Sequence, residues 1–145
     1  MFSLDPQLER DTLRLAALPL CDLLLMNDAN YPWLILVPRR ASVCELIDLN
    51  GHDRLQYQLE SNMTSQLLLG QFKADKLNIA ALGNIVSQLH IHHIARFHHD
   101  SAWPKPVWGV LTPLPYAPAE RDKALTLILS GLKSQTLVAF DWQQS

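Results

Sequence analysis

Residues 88 to 93 read Gln88-Leu89-His90-Ile91-His92-His93, and residues 90 to 99 hold five of the chain's six histidines. On an extended backbone successive side chains point to opposite faces, so Gln88, His90 and His92 share one surface while Leu89 and Ile91 enter the core. Imidazoles on such a face have three uses. They can be polar residues on a solvated strand. They can ligate zinc through ring nitrogens, with His98, His99 or Asp100 as the further ligands at hand. One ring can also attack phosphorus and form a covalent intermediate that water resolves. A strand suits the third use because it fixes the attacking nitrogen and brings the next polar residue within reach of the reacting group. Taken alone, these residues leave all three uses open.

The elements that must position this face read as follows. Asp5-Pro6 has the form of a helix start, predicting a short helix from about Pro6 to Leu13. Cys21 to Met26 and Trp33 to Val37 are apolar runs flanking a polar loop, which predicts a β-hairpin. Ser42 to Leu49 connects to the longest helix, which Asn50 caps and in which Leu55, Leu59, Met63 and Leu67 recur every fourth residue. Lys76 to Leu82 reads as a third strand, Gly83-Asn84 as a turn, and Val86 to Phe97 as a fourth strand carrying the histidines. Five prolines and Trp103 and Trp108 exclude a regular element from Ser101 to Pro118 but allow an ordered loop packed over the domain. Glu120 to Leu132 has helical spacing, and Thr136 to Trp142 forms an edge strand or tail. Hairpin strands with a long helix between them predict an α+β fold with an antiparallel sheet.

One domain accommodates all 145 residues, with residues 21–97 as its core and the Pro/Trp-rich loop and last helix in 101–145. A net charge of −2 with 18 % charged residues argues against nucleic acid as the main partner. The N-terminus lacks the pattern of a signal peptide and no stretch reaches the length of a membrane span, so the expected location is the cytoplasm, away from membranes. Cys21 and Cys44 lack C-x-x-C spacing and are expected to be buried free thiols. The five glycines form no phosphate-binding loop.

The stretch Gly83-Asn84-Ile85-Val86-Ser87-Gln88-Leu89-His90-Ile91-His92-His93-Ile94 resembles the histidine triad (HIT) family of nucleotide hydrolases and transferases, whose motif is H-φ-H-φ-H-φ-φ with φ apolar. Leu34-Ile35-Leu36-Val37-Pro38-Arg39-Arg40 is similar to the family's strand ending in Pro-Lys-Arg-His, and Lys76-Leu77-Asn78 to the strand ahead of the triad. The tail from Asp100 to Gly109 resembles a bacterial subgroup.

In this register the family's nucleophile falls on His90, the third triad position on His92 and the first on Gln88. The resemblance implies a HIT-like antiparallel sheet with a long helix packed on it. It also implies attack by His90 on the α-phosphate of a nucleotide, either a dinucleoside polyphosphate or a nucleoside phosphoramidate, through a nucleotidyl-histidine. His92 would contact the phosphate or assist the leaving group. Gln88 keeps hydrogen bonding but cannot carry charge as imidazole does. A second departure is Ala41, where the family has a histidine. Asn27, Asn78 and Asn84 match or flank nucleotide-contacting positions, with turn and backbone roles as the plain alternatives. Arg39 and Arg40 are candidates to steer a polyphosphate, and Trp103 and Trp108 to cover the site. The family's chemistry requires no metal or other cofactor, although a divalent cation can accompany a polyphosphate, and the resemblance implies a homodimer. A nucleotide-binding or interaction protein with weakened catalysis is the alternative function.

Overall fold

The computed structural model describes residues 1–135. The first helix, α1 (Pro6–Asp11), begins where Asp5 Oδ1 accepts the Gln7 amide at 2.8 Å. It stops two residues short of the expected Leu13, because the Thr12 hydroxyl donates to the Leu8 carbonyl at 2.6 Å and the backbone turns extended there. Thr12–Ala17 then forms a strand, β1, which the sequence reading did not include. The hairpin appears as read: β2 (Cys21–Met26) pairs antiparallel with β3 (Trp33–Pro38), Cys21 opposite Pro38.

After a 3-10 turn at Leu46–Asp48 comes α2 (Gly51–Gln71), capped by Asn50, whose Oδ1 accepts the Asp53 amide at 2.9 Å. Then follow β4 (Lys76–Ala80), β5 (Ile91–Arg96) and α3 (Pro118–Ser134). The expected fourth strand from Val86 starts instead at Ile91. Its partner β4 ends at Ala80, opposite His92, so residues 83–90 run as an irregular segment, in which the Leu89 amide donates to the Val43 carbonyl. The element expected at Thr136 to Trp142 lies outside the described residues.

The five strands form one sheet in the order β1-β2-β3-β5-β4, with every neighbouring pair antiparallel. With its helices this is an α+β fold. The central strands are buried on both faces, which explains their continuous apolar runs. One face packs Leu23, Leu25, Leu34, Leu36 and Ile91 against Met63, Leu67 and Leu68 of α2 and Ile128 and Leu132 of α3. Gly131 allows the two helices to approach: a Cβ there would lie 2.7 Å from Leu67 Cγ. The opposite face packs Leu24, Trp33, Ile35 and Ile94 beneath Leu8 of α1 and Val86, Ala102 and Val107 of the loops.

The apolar stripe assigned to α2 is only half buried. Met63 and Leu67 are inside, but Leu55 and Leu59 are exposed, and the buried face instead includes Glu60, Ser61 and Thr64. These polar groups are buried because each has a partner. Glu60 accepts the amides of Leu20 and Cys21 at 3.1 and 2.9 Å and the Gln56 side chain at 3.0 Å, pinning α2 to the β1–β2 turn. Burial pushes the Glu60 carboxyl up despite these bonds. Of the two thiols, Cys21 is buried as expected but Cys44 is exposed, lying in the irregular segment ahead of the 3-10 turn.

Candidate active site

His90 and His92 lie on the sheet face opposite α2, His90 just ahead of β5 and His92 as its second residue. Both are buried, with ring centroids 4.9 Å apart and planes at 78°. His90 Nδ1 is 2.7 Å from the Gln88 carbonyl. A carbonyl only accepts, so Nδ1 carries the proton and the lone pair is on Nε2. Among the described residues no protein group bonds that Nε2, and His90 lines a cavity of about 660 Å³. A rigid imidazole with its basic nitrogen facing open space is the geometry of a nucleophile. Gly83 backs the ring: a Cβ on it would come within 3.2 Å of His90 Cε1 and 2.5 Å of the Val86 carbonyl.

His92 is held at both nitrogens. Trp33 Nε1–H donates to Nδ1 at 3.0 Å, and Nε2–H donates to the Leu82 carbonyl at 3.2 Å. This bonding matches one neutral tautomer, and burial, reinforced by His90, lowers the His92 pKa to about 4. Trp108 packs edge-on against His92 at 5.2 Å and against Trp33 at 5.8 Å. Trp108 therefore covers the site, whereas Trp103 stacks over the Arg96 guanidinium at 5.7 Å and sits against His98.

The cavity is lined by Gln7, Leu8 and Asp11 of α1, Met26 of β2, residues Leu82 to Val86, and Trp108 with the two histidines. No lysine or arginine is in this lining. The contribution of α1 was missed by the sequence reading, since nothing local marks a helix so distant in sequence from the histidines as a wall of this site. Arg39 and Arg40 do not serve it either. Arg39 pairs with the buried Asp22 at 3.0 Å, and Arg40 holds Asp53 through two bonds of 2.7 and 2.9 Å.

The remaining candidates separate. Asn84 lines the cavity. Asn27 lines an adjoining pocket that shares Asp11 and Met26 with it, but its Oδ1 already accepts the Tyr116 amide at 2.9 Å. Asn78 belongs to a different cluster, where its Oδ1 accepts from Arg96 at 2.7 Å. Arg96 is almost completely buried and grips Asp100 through two bonds of 2.8 and 3.0 Å. Asp100 in turn accepts the amides of Phe97 and Ala102, and the Arg96 guanidinium brings its pKa down to about 2. This cluster anchors the loop that carries Trp108. Its signal in the sequence was an arginine alternating with His92 and Ile94 on one strand face.

Gln88 does not line the cavity. Its Oε1 accepts the Asp5 amide at 2.9 Å and its Nε2 donates to the Ser3 carbonyl at 2.8 Å. His93, on the other sheet face, donates from Nδ1 to the Ile91 carbonyl at 3.1 Å and accepts the Ser61 hydroxyl at 2.8 Å. Burial lowers its pKa to about 4. His98 and His99 are exposed. Among the described residues no group of three histidine, cysteine or acidic side chains gathers as a metal site would need, and no helix is long and apolar enough to cross a membrane.

The HIT domain family matches residues 7–99. A histidine triad protein from Bradyrhizobium japonicum is 46 % identical, with 90 % of this chain and 97 % of that chain covered and a TM-score of 0.87. Another from Marinobacter aquaeolei VT8 is 42 % identical over 92 % and 98 % of the two chains, with a TM-score of 0.89. A third, from Sinorhizobium meliloti 1021, is 43 % identical over 90 % and 97 %, with a TM-score of 0.87. Among curated proteins the chain matches none.

Proposed function

Because the chain belongs to the HIT domain family, whose members in general are nucleotide-binding hydrolases and transferases, we propose that it hydrolyses a nucleotide substrate at the α-phosphate through a covalent intermediate on His90. The observation that carries this reading is the His90 ring, protonated on Nδ1 toward the Gln88 carbonyl and open to the cavity at Nε2. In the first step Nε2 attacks the α-phosphorus, an N–P bond forms and the bond to the leaving group breaks with its electron pair. The Gln88 carbonyl stabilises the imidazolium that results. Water then attacks the same phosphorus, releases the nucleoside monophosphate and restores His90.

His92 takes part as a neutral donor. Its Nε2–H, shared with the Leu82 carbonyl at 3.2 Å, is available to a phosphate oxygen. Gln88 has no proton to lend a leaving group, so that proton comes from solvent. Asn84, and Asn27 through its Nδ2, contact the nucleotide, whereas Asn78 acts through Arg96. With no cationic side chain on the cavity wall, a dinucleoside polyphosphate enters with a divalent cation, while a nucleoside phosphoramidate enters without one. A homodimer accompanies this reading, supported by the exposed Leu55 and Leu59, one turn apart on α2.

The test is turnover of nucleoside phosphoramidates and dinucleoside polyphosphates by the wild type and by His90→Ala. Loss of turnover with retained binding of the nucleoside monophosphate supports the reading, and unchanged turnover overturns it. A second reading, a nucleotide-binding protein with weakened catalysis, is favoured by the engagement of Gln88 with the N-terminal backbone. It predicts monophosphate binding with no hydrolysis by the wild type.

A further inference from the structure

Gln88 occupies the first position of the triad register, yet its side chain turns away from the cavity to a segment more than 80 residues distant in sequence. A primary amide presents an acceptor and a donor side by side, as a peptide group does. Here it meets the Asp5 N–H and the Ser3 carbonyl, the two groups that a neighbouring strand would satisfy. The two ring nitrogens of an imidazole point in diverging directions and cannot make this pair of bonds to residues so close in sequence.

What the clamp holds in place matters for the site. With Asp5 fixed, its carboxylate caps α1 at the Gln7 amide, and α1 carries Gln7, Leu8 and Asp11 to the cavity wall. Leu8 is buried in the apolar cluster on this face, against which Phe2 and Leu4 also pack. One wall of the His90 cavity is therefore built from the N-terminal segment, and Gln88 joins that wall to the segment bearing the nucleophile.

We propose that Gln88 is a positioning residue that clamps the N-terminal segment into the wall of the His90 cavity, so that α1, rather than an imidazole at the first triad position, sets the fit of the ligand. The clamp itself is independent of the function assigned above, and the statement about ligand fit rests on that assignment. Because an amide does not titrate, the clamp holds at every pH at which the protein folds.

The experiment compares wild type with Gln88→Ala and Gln88→His. Amide hydrogen exchange at Asp5 is read by NMR without ligand, nucleoside monophosphate binding by calorimetry, and KM and kcat with a nucleoside phosphoramidate. Both variants are expected to speed exchange at Asp5 roughly tenfold, to weaken monophosphate binding by a similar factor, and to raise KM far more than they lower kcat. Gln88→Glu, which keeps the acceptor for Asp5 but loses the donor to Ser3, falls between the wild type and those two variants. Leu8→Ala, which leaves Gln88 intact, raises KM in the same way. Unaltered exchange at Asp5 overturns the clamp. A fall in kcat at constant KM also overturns the proposal, because it places Gln88 in the chemical step. Faster exchange in a protein whose wild type binds no monophosphate upholds the clamp but overturns the nucleotide assignment and the ligand-fit statement with it.

Discussion

Acidification from pH 7.5 to 5 should destabilise the fold by about 4 kcal/mol through two histidines alone. His92 and His93 are both buried as neutral rings with pKa values lowered to about 4, whereas in the unfolded chain each titrates near 6.5. The unfolded state therefore binds more protons throughout the interval between these values. Stability is fully present above about 6.5 and falls as the pH drops toward 4. At pH 5 each unfolded imidazole is almost fully charged and each folded one almost fully neutral, which gives about 2 kcal/mol per residue. That sum is a large part of a typical stability of about 5–15 kcal/mol.

The cause is geometric as well as dielectric. A proton on His92 Nδ1 would face the Trp33 indole N–H, and one on His93 Nε2 would reverse the bond from Ser61. Asp100 does not enter this window, because its lowered pKa of about 2 moves its contribution to stronger acid. Glu60 acts in the opposite direction. Its raised pKa means the folded state takes up that proton first, so the measurement is best made in a Glu60→Gln background. Urea unfolding at the two pH values, followed by tryptophan fluorescence, gives the stability difference, and side-chain proton–nitrogen NMR gives each imidazole's titration. A difference below about 1 kcal/mol, or a His92 ring titrating near its ordinary value, would refute the reasoning.

Further outcomes follow from the same contacts. Trp33→Phe removes the N–H that satisfies His92 Nδ1, at a cost of about 1–3 kcal/mol in denaturant stability, and raises the His92 pKa seen by NMR. Gly83→Ala forces a Cβ against the Val86 carbonyl and toward the His90 ring. A loss of about 1–3 kcal/mol is expected from overpacking, with a fall in turnover read by steady-state kinetics. Arg96→Met leaves Asp100 buried without its partner and unpins the Trp108 loop, costing about 3–5 kcal/mol by urea unfolding. Leu55→Asp combined with Leu59→Asp introduces charge on the exposed stripe of α2, and under the proposed homodimer sedimentation is expected to show a dimer for the wild type and monomers for the variant.

The parts of the fold written in local signals were legible in the sequence. Asn50 capped α2, the Cys21 to Met26 and Trp33 to Val37 runs paired, and the spacing of Leu125, Ile128, Leu129 and Leu132 marked α3. Strand β1 was not legible, because the start signal at Asp5-Pro6 extends forward in the sequence while the Thr12 hydroxyl closes the helix early. The fourfold spacing of Leu55 to Leu67 misplaced half of the buried face of α2. Glu60 and Ser61 enter the interior only because amides of Leu20 and Cys21 and the ring of His93 await them there.

The candidate site shows the same division. Alternation along the chain placed His90 and His92 on one face and His93 on the other, but spacing left the chemistry of that face open, and the assignment of attack to His90 came from the family resemblance. The α1 wall, the Trp33 donor to His92 and the true partners of Gln88, Arg39 and Arg40 depend on long-range contacts that no window of sequence displays.

The central claim is that His90 Nε2 attacks the α-phosphorus. It is tested most directly by quenching a single turnover of a phosphate-labelled nucleoside phosphoramidate under alkaline conditions, which preserve phosphohistidine, and mapping the label by peptide mass spectrometry. The account predicts a nucleotidyl adduct on His90 that forms and decays at rates compatible with turnover and is absent from His90→Ala. An adduct on His92, or full turnover with His90 never labelled, would contradict it.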